Sequence, residues 1–248
     1  MRLIFRFFYT LVFIVTSTGY SHAAPACPSA GEAVALSRLS DKLFGAGRIE
    51  PTLAKLFTQL FPEFEYVSPV SACELWSSGL GELFLPKTVL LRFRSVDEHI
   101  PAIELVISDS PNANAIALPA ETESNQPAQI ILSRALLDYL SDRAELAFVL
   151  AHEMSHIRQD HFPLFPPFLL TASQLKRIND IHKSWELEAD REALSLLEAR
   201  RMNLEAPVRV LRRLEAAEAK ESAGRSVVES HPQMSERIAA ITHRLAGS

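Results

Sequence analysis

The chain has no run of like charges and no basic stripe. That argues against nucleic acid as a partner, because phosphate binding needs clustered Lys and Arg. A net charge of −5 points the same way. No internal repeat is evident. Past the first 23 residues no stretch reaches 18 consecutive apolar residues, so the mature chain is expected to carry no transmembrane segment. Cysteine is scarce, with only Cys27 and Cys73. In an exported protein such a pair reads as one disulfide; the alternative is two free thiols. What the chain does have is length and apolar content: 248 residues, 48% hydrophobic, enough for the core of one large domain or two small ones.

The first residues, MRLIFRFFYTLVFIVTSTGYSHAAPA, place Arg2 and Arg6 before an apolar run from Phe7 to Val15 and then small residues. This is the pattern of a secretory signal peptide over residues 1–23, with Ser21 and Ala23 as the small residues before the cut. An uncleaved anchor is the alternative. A lipidated Cys27 fits less well, because APAC lacks the large aliphatic residue expected three positions earlier. The economical compartment is a bacterial periplasm.

Beyond the leader, AVALSRLSDKLF and PTLAKLFTQLF carry apolar residues at helical spacing. TVLLRFRSV, AIELVISDS, AIAL and AQIILS read as strands of one small, mostly antiparallel sheet. From Ser133 the chain turns helical. Asp142 with Glu145 resembles a capping box ahead of AELAFVLAHEMSHIRQ. HFPLFPPFLL breaks that helix with three prolines. It reads as a buried lid or, if exposed, an apolar contact patch. SWELEADREALSLLEARRMN, EAPVRVLRRLEAAEAKE and HPQMSERIAAITHRLA complete a helical second half. The fold class is therefore α+β and mostly helical. An N-terminal helical region over 24–95 is expected to pack on a domain over 96–248.

Within AFVLAHEMSHIRQDH stands His152-Glu153-x-x-His156. Histidines four apart project from one helix face, so both imidazoles can reach one metal ion. Glu153 stands beside that ion, where a carboxylate could take a proton from water. The motif is weak alone. A catalytic zinc site needs three protein ligands and an open position. Candidates for the third are His161, His182, Glu186, Glu188, Asp190 and His231; neither cysteine lies near. The metzincin pattern fails, because Gln159 and Phe162 stand where Gly and His are required. Glu186 and Asp190 share a helix face in WELEADREAL, and Ala189 and Ala193 would let that helix pack closely. In that arrangement Glu186 would bind zinc and Asp190 would accept the free ring N–H of a ligand histidine. The plain alternative is a charged solvent face.

Taken in order, ISDSPNANAIALP, ELAFVLAHEMSHI, ELEAD and HPQMSERI resemble the HtpX-like and CAAX-prenyl-protease-like zinc endopeptidases of peptidase family M48. The match covers about residues 100 to 245, and its soluble, secreted or periplasmic branch is the nearest. The resemblance implies a zincin (gluzincin) metallopeptidase fold and one zinc per chain. It implies His152, His156 and Glu186 as ligands and Glu153 as general base. The strand with Asn114 and Ala115 would pair with extended substrate. Two departures stand out: Ser155 where the family usually has Gly, and AETESNQ where it often has Gly-Gly. His231 and Arg237 are candidate oxyanion donors; His231 could instead cap the metal and hold the enzyme latent, or be structural. With the leader, the resemblance implies cleavage of unfolded or misassembled envelope proteins, with envelope or outer-membrane assembly partners possible. The alternative is a chaperone-like or binding module that keeps the fold but is largely latent.

Overall fold

The computed structural model describes residues 49–69, 89–97, 100–108, 110, 113–121, 126–162, 172–222 and 234–247. The leader, both cysteines, the helical stretch before residue 49, the proline-rich segment from 163 and His231 lie outside these residues.

Helix α1, Ile49–Leu60, takes Pro51 in its first turn, where the missing N–H costs nothing. Leu53, Leu56, Phe57 and Leu60 recur at helical spacing, and all four are buried. Phe57 stacks on Phe93 of the sheet at 4.0 Å between centroids. The strands are β1 (Phe64–Pro69), β2 (Val89–Ser95), β3 (Ile103–Ser108), β4 (Ala115–Leu118) and β5 (Ala128–Ser133). They form one sheet in the order β1-β2-β3-β5-β4.

The sheet is mixed rather than wholly antiparallel. Three pairings are antiparallel, but β3 runs parallel to β5. The chain leaves β3, makes β4 at the far edge, and returns as β5 in the gap between them. β1 and β2 lie before residue 96 and join the same sheet through backbone ladders. Alternation sends Leu91, Phe93, Ile103, Leu105, Ile107, Ile130 and Leu132 to one face, all fully buried in the core. On the opposite face Glu104 accepts from Arg92 at 2.7 Å and from Gln129 at 2.8 Å, a polar row across three strands.

The helical half comprises α2 (Arg134–Tyr139), α3 (Arg143–Arg158), α4 (Ala172–Ala199), α5 (Ala206–Ser222) and α6 (Met234–Ala246). Asp142 caps α3 by accepting from the Glu145 N–H at 3.0 Å, and Glu145 reaches back to the Ser141 N–H at 2.8 Å. Glu145 is wholly buried and takes two bonds from Arg213 of α5, at 2.9 and 2.6 Å. That pair fixes the start of α3 against α5. Ala189 and Ala193 are buried where α4 meets α3, so the two helices approach closely. Among the described residues no helix is long and apolar enough to cross a membrane.

Candidate metal centre

His152 and His156 lie one turn apart on α3 and point the same way, with their Nε2 atoms 3.1 Å apart. Glu186 of α4 faces both. Its carboxylate oxygens lie 3.3 Å from His152 Nε2 and 3.5 Å from His156 Nε2. Two ligand atoms on one tetrahedral zinc ion, each ~2.0–2.2 Å from it, are separated by about 3.3–3.6 Å. The Nε2–Nε2 distance and the distance from each imidazole to its nearer Glu186 oxygen are close to that figure, with a different oxygen facing each ring. Among the described residues no other His, Cys, Asp or Glu trio could hold a metal ion.

A second layer orients this trio. Asp190 lies one turn after Glu186 and meets His152 Nδ1 at 2.9 Å. With that nitrogen donating to Asp190, the lone pair of Nε2 faces Glu186 and His156. Arg237 of α6 donates to Asp190 from Nε at 2.7 Å and from Nη2 at 2.6 Å, and its Nη1 meets Glu186 at 2.9 Å. Asp190 and Arg237 are buried, and Glu186 is partly buried. Helix α6 is itself docked on α4, by Lys183 with Glu236 and by Arg244, which donates to the Arg191 carbonyl at 2.7 Å.

Burial raises the Glu153 carboxyl to about 7, and the Ala117 N–H it accepts from works against that rise. Burial alone would lower His152; its bonds to Asp190 and Glu186 win, and its pKa stands at about 10. Burial and the neighbouring His152 press His156 down to about 3. Burial opposes the charge on Glu186 and Asp190, but Arg237 overrides it and holds both below the ordinary carboxylate range. Glu153, Glu186 and Asp190 face the single guanidinium of Arg237, which leaves two negative charges when all are ionised. A divalent cation closes that balance. The residues thus fit a metal in geometry, donor type and charge.

The other third-ligand candidates stand elsewhere. His161 is buried and stacks on Trp185 at 5.1 Å, with its ring 5.2 Å from that of His156. It backs the site as a wall. His182 also packs on Trp185, at 5.1 Å between ring centroids, and Glu188 lies 3.6 Å from His161. Ser155 is buried and donates to Glu192 of α4 at 3.1 Å, so a hydroxyl links the two ligand-bearing helices.

The matching family profile is described as "Peptidase family M48" and covers residues 91–164 and 163–245. The chain belongs to peptidase family M48. It is therefore a protease, with a His-His-Glu cluster suited to a metal. No curated protein matches this M48 peptidase significantly.

Two contributions to the M48 site were not visible in the sequence. One is the Ala117 N–H donated to Glu153. The other is the commitment of Arg237 to two carboxylates, where a substrate-facing role was expected. The signal for it was the acid pair Glu186 and Asp190 on one face, which in a buried setting demands a cation. Asn114 and Ala115 do line the same cleft as His152 and Glu153.

Proposed function

We propose that this M48 peptidase is a zinc-dependent endopeptidase, exported to the periplasm, that cleaves unfolded or misassembled envelope proteins. The observation that carries the reading is the His152–His156–Glu186 trio with Glu153 beside it. These three side chains would hold one zinc per chain. Bound zinc supplies Lewis acidity toward water and a peptide carbonyl. Glu153, buried and aimed by the Ala117 N–H, takes the proton of the attacking water and returns it to the leaving amine. Asp190 and Arg237 keep the His152 ring and the Glu186 carboxylate in place during that exchange.

The substrate lies along β4. Ser133 donates to the Asn114 carbonyl, so alternation turns the backbone groups of Ala115 and the Ala117 carbonyl away from β5, while the Ala117 N–H serves Glu153. An extended peptide can pair with that edge through backbone hydrogen bonds, which suits unfolded chains of varied sequence. The buried Asn114 Oδ1 has no partner among the described residues and would accept a peptide N–H. The leader motif supports export, and Cys27 with Cys73 would then form one disulfide.

The test combines zinc analysis with casein cleavage by the full chain. Glu153→Gln is expected to keep one zinc and the fold and to lose ~10²–10⁴-fold in turnover, because an amide cannot take the proton. Near-normal turnover by that variant would refute the mechanism. Glu186→Ala is expected to lose zinc; full occupancy would remove Glu186 from the ligand set.

A further inference from the structure

The two histidines of the candidate metal centre are held in different ways. His152 has Asp190 at its Nδ1, 2.9 Å away. Among the described residues the polar contacts of the His156 ring, to His152 and Glu186, run through Nε2, and no acceptor stands at its Nδ1. The His156 ring instead meets the ring of His161 at 5.2 Å between centroids and 71° between planes, the edge-on geometry that aromatic rings favour. His161 in turn lies nearly flat on Trp185, at 5.1 Å and 12°. Trp185 is the residue before Glu186. This row of rings runs from a histidine of the trio on α3 to the neighbour of its glutamate on α4. Neither nitrogen of His161 makes a hydrogen bond among the described residues: Nε2 is 3.6 Å from Glu188, beyond hydrogen-bond reach, and the buried Nδ1 has no partner. The backbone holds the ring in place, because His161 N–H donates to the His156 carbonyl at 3.0 Å.

We propose that His161 is a positioning residue for the metal centre: its ring, backed by Trp185, fixes the His156 imidazole by packing, where His152 is fixed by a hydrogen bond. The proposal rests on the reading of His152, His156 and Glu186 as zinc ligands. An unsupported imidazole turns about two side-chain bonds, and a ligand that is ordered only as the metal arrives binds it more weakly. A flat ring packed against it removes that freedom beforehand. Because neither nitrogen of His161 is engaged, the ring acts through its shape. A phenyl group of similar outline can do the same, and a methyl group cannot. A proton donor or a further metal ligand at this place would need the nitrogens, and a phenyl group would abolish it.

The experiment measures zinc affinity by chelator competition in the full chain and in its His161→Ala and His161→Phe variants. The visible absorption of the cobalt-loaded forms and the urea midpoints of the metal-free forms are read beside it. His161→Ala is expected to bind zinc ~10-fold more weakly, the low end of what losing a ligand-orienting partner costs. Its cobalt bands should shift from those of the native chain. His161→Phe should restore most of the affinity and the native bands. His161→Leu fills the space without a flat face and takes the place of the alanine variant if that one does not fold. Trp185→Ala should weaken zinc binding in the same direction, because it removes the backing. Unchanged affinity and bands in His161→Ala, with only a lower metal-free midpoint, would make the residue structural and overturn the proposal. A Phe variant as weak as the Ala variant also overturns it, because the nitrogens would then do the holding. Both outcomes leave the ligand trio standing. A native chain that binds no zinc overturns the trio and this proposal with it.

Discussion

Replacing Arg237 isolates what one side chain does at the site. Its guanidinium is buried and divided between Asp190 and Glu186. Arg237→Met would leave those carboxylates buried without a cation, a change that costs about 3–5 kcal/mol in buried pairs. Urea unfolding of the zinc-free protein measures that loss; an unchanged midpoint would refute the pairing. Arg237→Lys should recover only part of it, since an ammonium cannot reproduce the two-pronged bond to Asp190. Asp190→Asn addresses the metal instead. The amide holds His152 Nδ1 less strongly, and chelator competition should give ~10–100-fold weaker zinc binding. Spacing alone puts His152 and His156 on one face and Glu186 and Asp190 on another, and only the family resemblance singled out Glu186 from six candidates for the third position. The sequence does not reveal Arg237, because nothing in HPQMSER says which carboxylate the arginine will meet.

The helices place these residues through their ends as much as their faces. Helix α3 ends in a Schellman turn: His161 N–H bonds the His156 carbonyl at 3.0 Å, with Asp160 in the left-handed region at φ 52°. The turn folds His161 back behind His156. Helix α4 ends the same way at Arg201, φ 53°, with Met202 N–H on the Leu197 carbonyl at 2.9 Å. Arginine is a poor choice for that backbone, and its side chain is exposed. Arg201→Gly should raise stability by about 0.5–1 kcal/mol, read from the thermal midpoint; a loss would mean the arginine side chain outweighs the strain. The strands and helices were largely legible from their periodicity, but two features were not. Strand order was hidden, because a run such as AQIILS says that it is buried and not which neighbour it pairs with. The start of α4 was also hidden. ASQLKRINDIHK has no sustained apolar stripe, so the helix extends twelve residues ahead of the first one that amphipathicity marks.

At the scale of the whole molecule, a metal at the trio would join two helices far apart in sequence into one unit. A zinc ion that binds the folded chain and not the unfolded one should add about 4 kcal/mol at a thousand times its Kd. Chelation is then expected to lower Tm by on the order of 10 °C in a chain of this size. Calorimetry with and without zinc checks this, and equal midpoints would show that the trio holds no structural metal. Reduction should act differently. If Cys27 and Cys73 are bridged, their loop stabilises by about 3–4 kcal/mol, and reduction should lower Tm more than it lowers specific activity. His152, His156 and Glu186 come together because they sit on two helices packed against each other. The leader, the cysteines and His231 remain expectations from sequence.

The partners of Arg237 also set a timetable. His152, His156 and Glu186 lie within 35 residues of one another, whereas Arg237 follows Asp190 by 47. At about 5–20 residues per second, a chain growing from its first residue completes the ligand trio roughly 2–10 s before the arginine exists. During that interval Asp190 and Glu186 have no guanidinium, and the two helices that carry the ligands have an incomplete seam. Any zinc captured then is held by residues whose orientation is still loose. Helix α6 therefore arrives as a latch, and a polypeptide stopped short of it would carry the His-His-Glu cluster without the arginine that pairs with Glu186 and Asp190.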